Sequence, residues 1–382
     1  MKNKYQSNWQ EIIMYNVITT RSPGQVSRAT DLDALSCKYS INRNLYLNPP
    51  DEFVKDLVES YQRYLQYCVG YTGLSSSRAL KGLFQEKKMP IINRGSYLRT
   101  RAIDQVVNKF IGEFKDRCQI VSLGSGSDTR AFQIFKSHAN VIYHEIDFPE
   151  SAKVKKLAIL QNPVIRELVG TNETSPLINN KEQFESYSSE LHTEKYHLHG
   201  IDLRTLKKPD SQIKGFQPEV PTLVISECVL CYLSPDEYQR TMNYWTEIAD
   251  QNYMGFLIYE PMSLNDQFGE TMTLNLQSRG LNLQTFSKYP DLISRKKFLE
   301  ESCHLKNLRL TDMSYIGGYK VSQDGREWID HKEMGRINKL EMIDEIEEIR
   351  LLLEHYCLIY GEYTEEKTLN FKGIDTWSWI LS

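Results

Sequence analysis

The chain has 382 residues, 40% of them hydrophobic and 25% charged, with a formal net charge of −4. That length buries a sizeable core in one large or two ordinary domains, the mild negative charge makes no electrostatic case for nucleic acid, and no apolar run approaches the ~18 residues of a membrane span. The seven cysteines, Cys37, Cys68, Cys118, Cys228, Cys231, Cys303 and Cys357, are odd in number and scattered, which predicts free thiols in a reducing compartment, the cytosol with or without access to the nucleus.

Residues 1–30 are polar, start without the apolar core of a secretory signal and pass through Thr20-Arg21-Ser22-Pro23-Gly24, so they are expected to form a mobile arm. Residues 31–382 are expected to be a single domain with helical insertions. Thr30–Tyr39 reads as a short capped helix, and Asp51 to about Val69 as an amphipathic one carrying Phe53, Leu57, Tyr61 and Leu65. Thr72–Lys88 is basic and serine-rich, the composition of a solvated loop or helix face. Pro90–Arg99 leads into a helix predicted from Thr100 to about Phe114. Its two arginines, Arg94 and Arg99, stand on either side of Gly95. They can hold a cation over an acidic ligand group or pair with local carboxylates on the surface.

The stretch that organises the chain is Gln119–Arg130, Gln-Ile-Val-Ser-Leu-Gly-Ser-Gly-Ser-Asp-Thr-Arg. A short apolar strand, Ile120–Leu123, runs into a G-x-G turn at Gly124 and Gly126, and Asp128 stands as N-cap before the apolar stripe Ala131, Phe132 and Phe135. The third glycine of a dinucleotide fingerprint is missing. A second strand, Asn140–Ile146, ends in Asp147, 21 positions beyond Gly126. A carboxylate at that strand tip has two acceptor oxygens for the vicinal hydroxyls of a ribose. A truncated G-x-G turn plus that acid suits a nucleoside without a pyrophosphate, of which S-adenosyl-L-methionine is the commonest.

Further along, a helix is expected over Lys153–Leu168 and a polar surface insertion over Thr171–Lys195. Strands are expected at Tyr196–Ile201, Thr222–Ser226 and Gly255–Tyr259, followed by Asp202-Leu203, Glu227-Cys228 and Glu260-Pro261. With Asp147, that places four acids at one rim of a parallel sheet, a crevice for a ligand rich in hydroxyls and amines with a cationic centre. His192, His197 and His199 crowd one strand, but without a nearby cysteine or carboxylate to complete a site they are read as a solvent-facing pattern, and no metal is expected. Cys228-x-x-Cys231 lacks a second pair and is read as packed thiols. Leu264–Leu283 is expected to be helical and to continue to about Glu300. Leu308–Tyr315 and His355–Tyr360 are the last strands, and Gly335–Leu353 is an acidic amphipathic helix whose acids, Glu341 among them, face solvent.

In order along residues 30–360, Leu35-Ser36-Cys37-Lys38, Asn93-Arg94-Gly95 through Arg99, Val121–Asp128, Ile146-Asp147-Phe148, Asp202-Leu203, Ile225–Tyr232 and Asp266-Gln267-Phe268-Gly269 resemble the leucine carboxyl methyltransferases. The layout is similar to that of a fungal member, with a longer N-terminal arm, extra residues at 67–88 and a tail beyond Tyr360. The resemblance implies an α/β, Rossmann-like S-adenosylmethionine-dependent methyltransferase sheet with a helical N-terminal elaboration and a helical lid insertion. It implies that Lys38 and Arg99 hold the methionine carboxylate, Gly124 and Gly126 admit the cofactor to the backbone, and Asp147 binds the ribose. Asp202 and Leu203 frame the adenine, Glu227 faces the methionine ammonium, and Tyr232 belongs to the substrate pocket. The implied partner is the C-terminal tail of the protein phosphatase 2A catalytic subunit, met by a monomer, with no proton-transfer residue required. Related alternatives are a wybutosine-type transfer-RNA carboxyl methyltransferase, which carries a kelch-repeat domain that this chain has no room for, and a small-molecule O-methyltransferase of the same fold.

Overall fold

The computed structural model describes residues 23–208, 212–249, 253–278, 280–322, 324–364 and 371–382. Eight strands form one sheet: β1 Cys118–Leu123, β2 Val141–Asp147, β3 Leu191–His192, β4 Tyr196–Gly200, β5 Thr222–Glu227, β6 Met254–Pro261, β7 Lys306–Asp312 and β8 Tyr356–Tyr363. Their spatial order is β3-β4-β2-β1-β5-β6-β8-β7. The strands β4, β2, β1, β5 and β6 run parallel, while β3 and β8 are antiparallel to their neighbours. The order reverses beside β1, and a parallel sheet binds ligands outside the strand carboxyl ends at such a switch point.

Both faces of the sheet are covered, as parallel strands require. Successive side chains alternate between faces. Ile120, Tyr143, Leu223, Ile225 and Leu257 enter one core with Leu98, Ile103, Val106 and Phe110 of the Pro90–Glu113 helix. Val121, Ile146, Val224, Phe256 and Ile258 enter the other with Met242 and Trp245 of the Pro235–Ile248 helix. A third cluster joins Leu32, Leu35, Leu57, Tyr61 and Leu80 to Val154 and Leu157, so the N-terminal helices sit on the helix that follows β2. No helix of the described residues is long and apolar enough to cross a membrane.

Several expected boundaries move. The first helix spans Pro23–Arg43 rather than starting at Thr30, and Arg28 is buried in it, bonded to Val69 O at 3.0 Å and paired with Glu150. Residues 23–30 therefore belong to the fold, and residues 1–22 lie outside the described residues. The stretch after Met89 is helical from Pro90, because proline suits a first turn whose N–H has no partner. The expected Lys153–Leu168 helix is two, Pro149–Gln161 and Pro163–Val169, divided where Asn162 caps the second by accepting from Val164 N and Ile165 N. The insertion at 171–195 contains the edge strand β3. The helix expected over 264–300 is three, Gln267–Ser278, Gln284–Lys288 and Leu292–Glu301, with Gly280 left-handed between the first two and Asp291 capping the third.

Candidate active site

At the end of β1 the chain turns through Gly124 (φ +55°) and Gly126 (φ +44°). A Cβ on Gly126 would sit 2.3 Å from Asp31 Oδ1, and one on Gly124 2.6 Å from a Val229 methyl, so both positions need glycine for space as well as backbone. The turn is pinned to the tip of β2. Ser125 N donates to Ile146 O at 3.1 Å, and Gly126 N donates to Asp147 Oδ2 at 2.6 Å. Asp147 also accepts from Phe148 N at 2.6 Å. Burial and then the neighbouring Asp31 push the Asp147 carboxyl up to about 6, against the pull of those two N–H groups.

Asp31, from the N-terminal helix, accepts from Ser127 N at 2.7 Å and Ser127 Oγ at 2.9 Å, and Tyr61 donates to it as well. Lys38, two turns further along, donates to Thr129 Oγ1 at 2.7 Å and Asp128 Oδ1 at 3.2 Å and lies 3.4 Å from Asp51. Asp128 is not the N-cap that the sequence implies. Thr129 occupies that position, and Asp128 accepts from Arg130 N at 3.0 Å. Arg130 is buried and reaches three acids: Asp128, Asp104 at 2.7 Å and Glu227 at 3.3 Å.

Opposite the turn, Glu227 ends β5 and receives Arg99 Nε. The Arg99 guanidinium lies 5.0 Å from the Tyr259 ring centroid, a cation–π geometry. Burial opposes charge on both partners, yet Arg99 and Arg130 hold the Glu227 carboxyl below its ordinary value, and Glu227 holds Arg99 above its own. Of the two arginines flanking Gly95, Arg99 faces the crevice. Arg94 is buried elsewhere, tied to Asn338 Oδ1 at 2.8 Å and Ile337 O at 3.2 Å.

Asp202 and Leu203 follow β4, whose continuation Ile201 N donates to Asp147 O at 2.8 Å. The Asp202 carboxylate is gripped by Arg204, with contacts of 2.5–3.1 Å, and Leu203 is buried in the second core. Glu260 departs from the role expected at the rim. It stands at the carboxyl end of β6, one position beyond the Tyr259 that pairs with Glu227, but it is fully buried and paired with Arg295 at 2.5 Å, so its carboxylate is held in the core and not offered to a ligand. Tyr232, in a short 3-10 turn after β5, packs against an apolar cluster of Cys231, from the same turn, and Met272, Leu283 and Phe286 from beyond β6. Burial, chiefly, raises the Tyr232 phenol well above its ordinary pKa and pushes the Cys228 thiol up to about 11.

The structure thus brings Lys38, Arg99, Gly124, Gly126, Asp147 and Glu227 to one crevice, with Asp202 and Leu203 at its β4 edge. Sequence reading missed Asp31, Asp51, Thr129 and Arg130 as its partners. Arg130 closes the organising stretch itself and was visible there, whereas nothing in sequence joins Asp31 to Ser127, 96 positions away.

Comparison with known proteins bears on the chemistry of this crevice. Residues 28–246 match the family described as "Leucine carboxyl methyltransferase". Leucine carboxyl methyltransferase 1 of Debaryomyces hansenii is 50% identical over 362 residues, covering 94% of this chain and 97% of that protein. The chain belongs to the leucine carboxyl methyltransferase family. The Yarrowia lipolytica member is 38% identical, covering 88% of this chain and 97% of its own length. A solved structure described as a putative methyltransferase from Thermobifida fusca is similar at TM-score 0.45 and 11% identity, over 79% of this chain and 94% of that one. As a leucine carboxyl methyltransferase family member, the protein is a carboxyl methyltransferase.

The crevice also fits a nucleoside-bearing cofactor on its own terms. The buried Ser125 Oγ within the glycine turn has no hydrogen-bond partner in the structure, and a carboxylate, a guanidinium and a second carboxylate lie around that turn.

Proposed function

We propose that the protein transfers the methyl group of S-adenosyl-L-methionine to the α-carboxylate of the C-terminal leucine of the protein phosphatase 2A catalytic subunit, forming a leucine methyl ester that bears on phosphatase assembly. The observation that carries this reading is the Asp147–Gly126 contact facing the Arg99–Glu227 pair across the strand ends, in a chain of this family.

Asp147 receives the ribose beside the tight turn that Gly124 and Gly126 form. Asp202 and Leu203 border the adenine. Arg99 and Lys38 hold the methionine carboxylate, each giving up part of its pairing with Glu227 or Asp128, and Glu227 turns to the ammonium. The cofactor, when bound, supplies an electrophilic sulfonium methyl. The substrate is its own nucleophile, since a C-terminal carboxyl titrates near ~3.5 and is ionised at neutral pH. The chain must align one carboxylate oxygen with that methyl and strip water from it. The cluster of Met272, Leu283 and Phe286 beside Tyr232 offers an apolar wall for the leucine side chain. Tyr232 and Cys228, both held protonated, are not available as bases, which agrees with a reaction that needs none. The seven free thiols suit a reducing cytosol.

The test is transfer of labelled methyl from S-adenosylmethionine to purified phosphatase catalytic subunit, beside a version lacking its final leucine. Base-labile label on the intact subunit alone is the expected result. Label on neither, with cofactor binding intact, overturns the substrate and directs attention to RNA and small carboxylates.

A further inference from the structure

Outside the crevice, at the β3 edge of the sheet, four histidines and one glutamate meet. The antiparallel pairing of β3 with β4 sets His192 against His197 and brings Glu190 beside Gly200 and His199. The sequence argument against a metal rested on the lack of a nearby carboxylate, and Glu190 supplies one. Glu190 Oε2 lies 2.8 Å from His192 Nε2 and 3.9 Å from His199 Nδ1. The three ligand atoms lie within 4.8 Å of one another.

The hydrogen bonds behind this trio decide which nitrogens carry protons. Gln119 Oε1 accepts from Gln217 N at 3.1 Å while its Nε2 donates to Thr222 Oγ1 at 3.0 Å, so the amide orientation is determined. His144 Nε2, 3.1 Å from that oxygen, must therefore be the donor. His144 is fully buried and stacked on His197 and His199, and its Nδ1 lies 3.2 Å from His199 Nε2. That contact leaves His199 Nδ1 turned toward the Glu190 carboxylate, 3.9 Å away and beyond hydrogen-bond reach, a separation that an ion held by both would fill.

We propose that Glu190, His192 and His199 bind a divalent transition-metal ion of the zinc class, with His144 and Gln119 orienting His199 from behind. Two ligands at zinc–nitrogen and zinc–oxygen bond lengths in a tetrahedron are about 3.3 Å apart. The two separations from Glu190 Oε2, 2.8 and 3.9 Å, bracket that value, the shorter being a hydrogen bond with His192 Nε2 that the ion would replace. The chain Gln119–His144–His199 is the support that metal-bound imidazoles use to hold tautomer and ring direction. Glu190 is 40% exposed, so the site opens to solvent on one side and leaves a fourth position for water. The other Glu190 oxygen accepts from Gly200 N at 2.7 Å, two residues before Asp202. The ion would clamp β3 to β4 next to the cofactor crevice and leave the methyl-transfer chemistry untouched.

The experiment strips the full-length protein with chelator and titrates it with Co²⁺, then displaces that with Zn²⁺, with thiols kept reduced. One equivalent of Co²⁺ should give visible d–d absorption without the near-ultraviolet sulfur charge-transfer band that cysteine ligands produce. Glu190→Gln and His192→Ala alter side chains that reach the surface, and their folding is checked by circular dichroism and by cofactor binding. Each should weaken Co²⁺ binding by at least about tenfold. Absence of stoichiometric binding, equal binding by both variants, or a thiolate charge-transfer band would each overturn the proposal.

Discussion

Asp147 does two things that pull against each other. In the role proposed for it, its carboxylate is ionised when it accepts two ribose hydroxyls, yet burial and Asp31 push its pKa up to about 6. In the cofactor-free protein the folded pKa lies above the unfolded one. The folded state therefore binds the proton more tightly, so this group favours folding at low pH and loses that contribution as pH rises from about 4 through 6. Cofactor binding has the opposite sign, because hydrogen bonds from the ribose favour the charged form. S-adenosylmethionine affinity should be flat above about pH 6 and fall by up to tenfold per pH unit below it. Calorimetric titration across that range checks this, with Asp147→Asn expected to bind weakly and without that slope. The same residue could be picked out from sequence by its position after Gly126. Its perturbed pKa could not, since the causes are burial in the folded chain and then a carboxylate 116 positions away on another element.

Among elements, the strands follow the sequence more closely than the helices do. A strand buried on both faces is written as a short apolar run, and β1, β2 and β5 each lie within two residues of expectation. Helix ends depend on caps and on distant partners. Gly335–Leu353 reads as one acidic helix but is two, His331–Ile337 and Ile346–Glu354. Between them, Glu341 is drawn inward to accept from Asn93 at 2.8 Å and Tyr46 at 3.1 Å instead of facing solvent. Glu260 shows the same effect within a strand. The Leu292–Glu301 helix brings Arg295 to it, and Arg295 also donates to Pro261 O at 2.8 Å. Breaking one side of such a buried pair leaves an uncompensated charge, so Arg295→Ala should cost about 3–5 kcal/mol. Adding Glu260→Gln should recover part of that loss. Urea unfolding of the single and double variants checks this, and equal stabilities for the two would mean that the charges are not coupled.

For the molecule as a whole, the cofactor crevice is assembled by two parts of the chain that sequence reading treated separately. The sheet contributes the glycine turn, Asp147 and Glu227, and the N-terminal helix lays Asp31 and Lys38 across them. Cofactor occupancy should therefore tie that helix down. Hydrogen exchange should show the amides of Pro23–Arg43 slowing on addition of S-adenosylmethionine along with those of the 119–130 turn. Protection confined to the sheet would show that the helix is not part of the closed site. The sequence by itself determined the alternation of strands and helices, the glycine turn with its acid, and the family, because these are written in local spacing and in residues that no other chemistry explains as well. Only the tertiary structure decided that Glu260 is a core residue, that Arg94 binds Asn338 and Ile337 while Arg99 pairs with Glu227 at the strand ends, and that Glu190 joins a histidine cluster. Each of those outcomes depends on which distant side chain a buried charge meets, and burial makes that meeting obligatory without local sequence naming the partner.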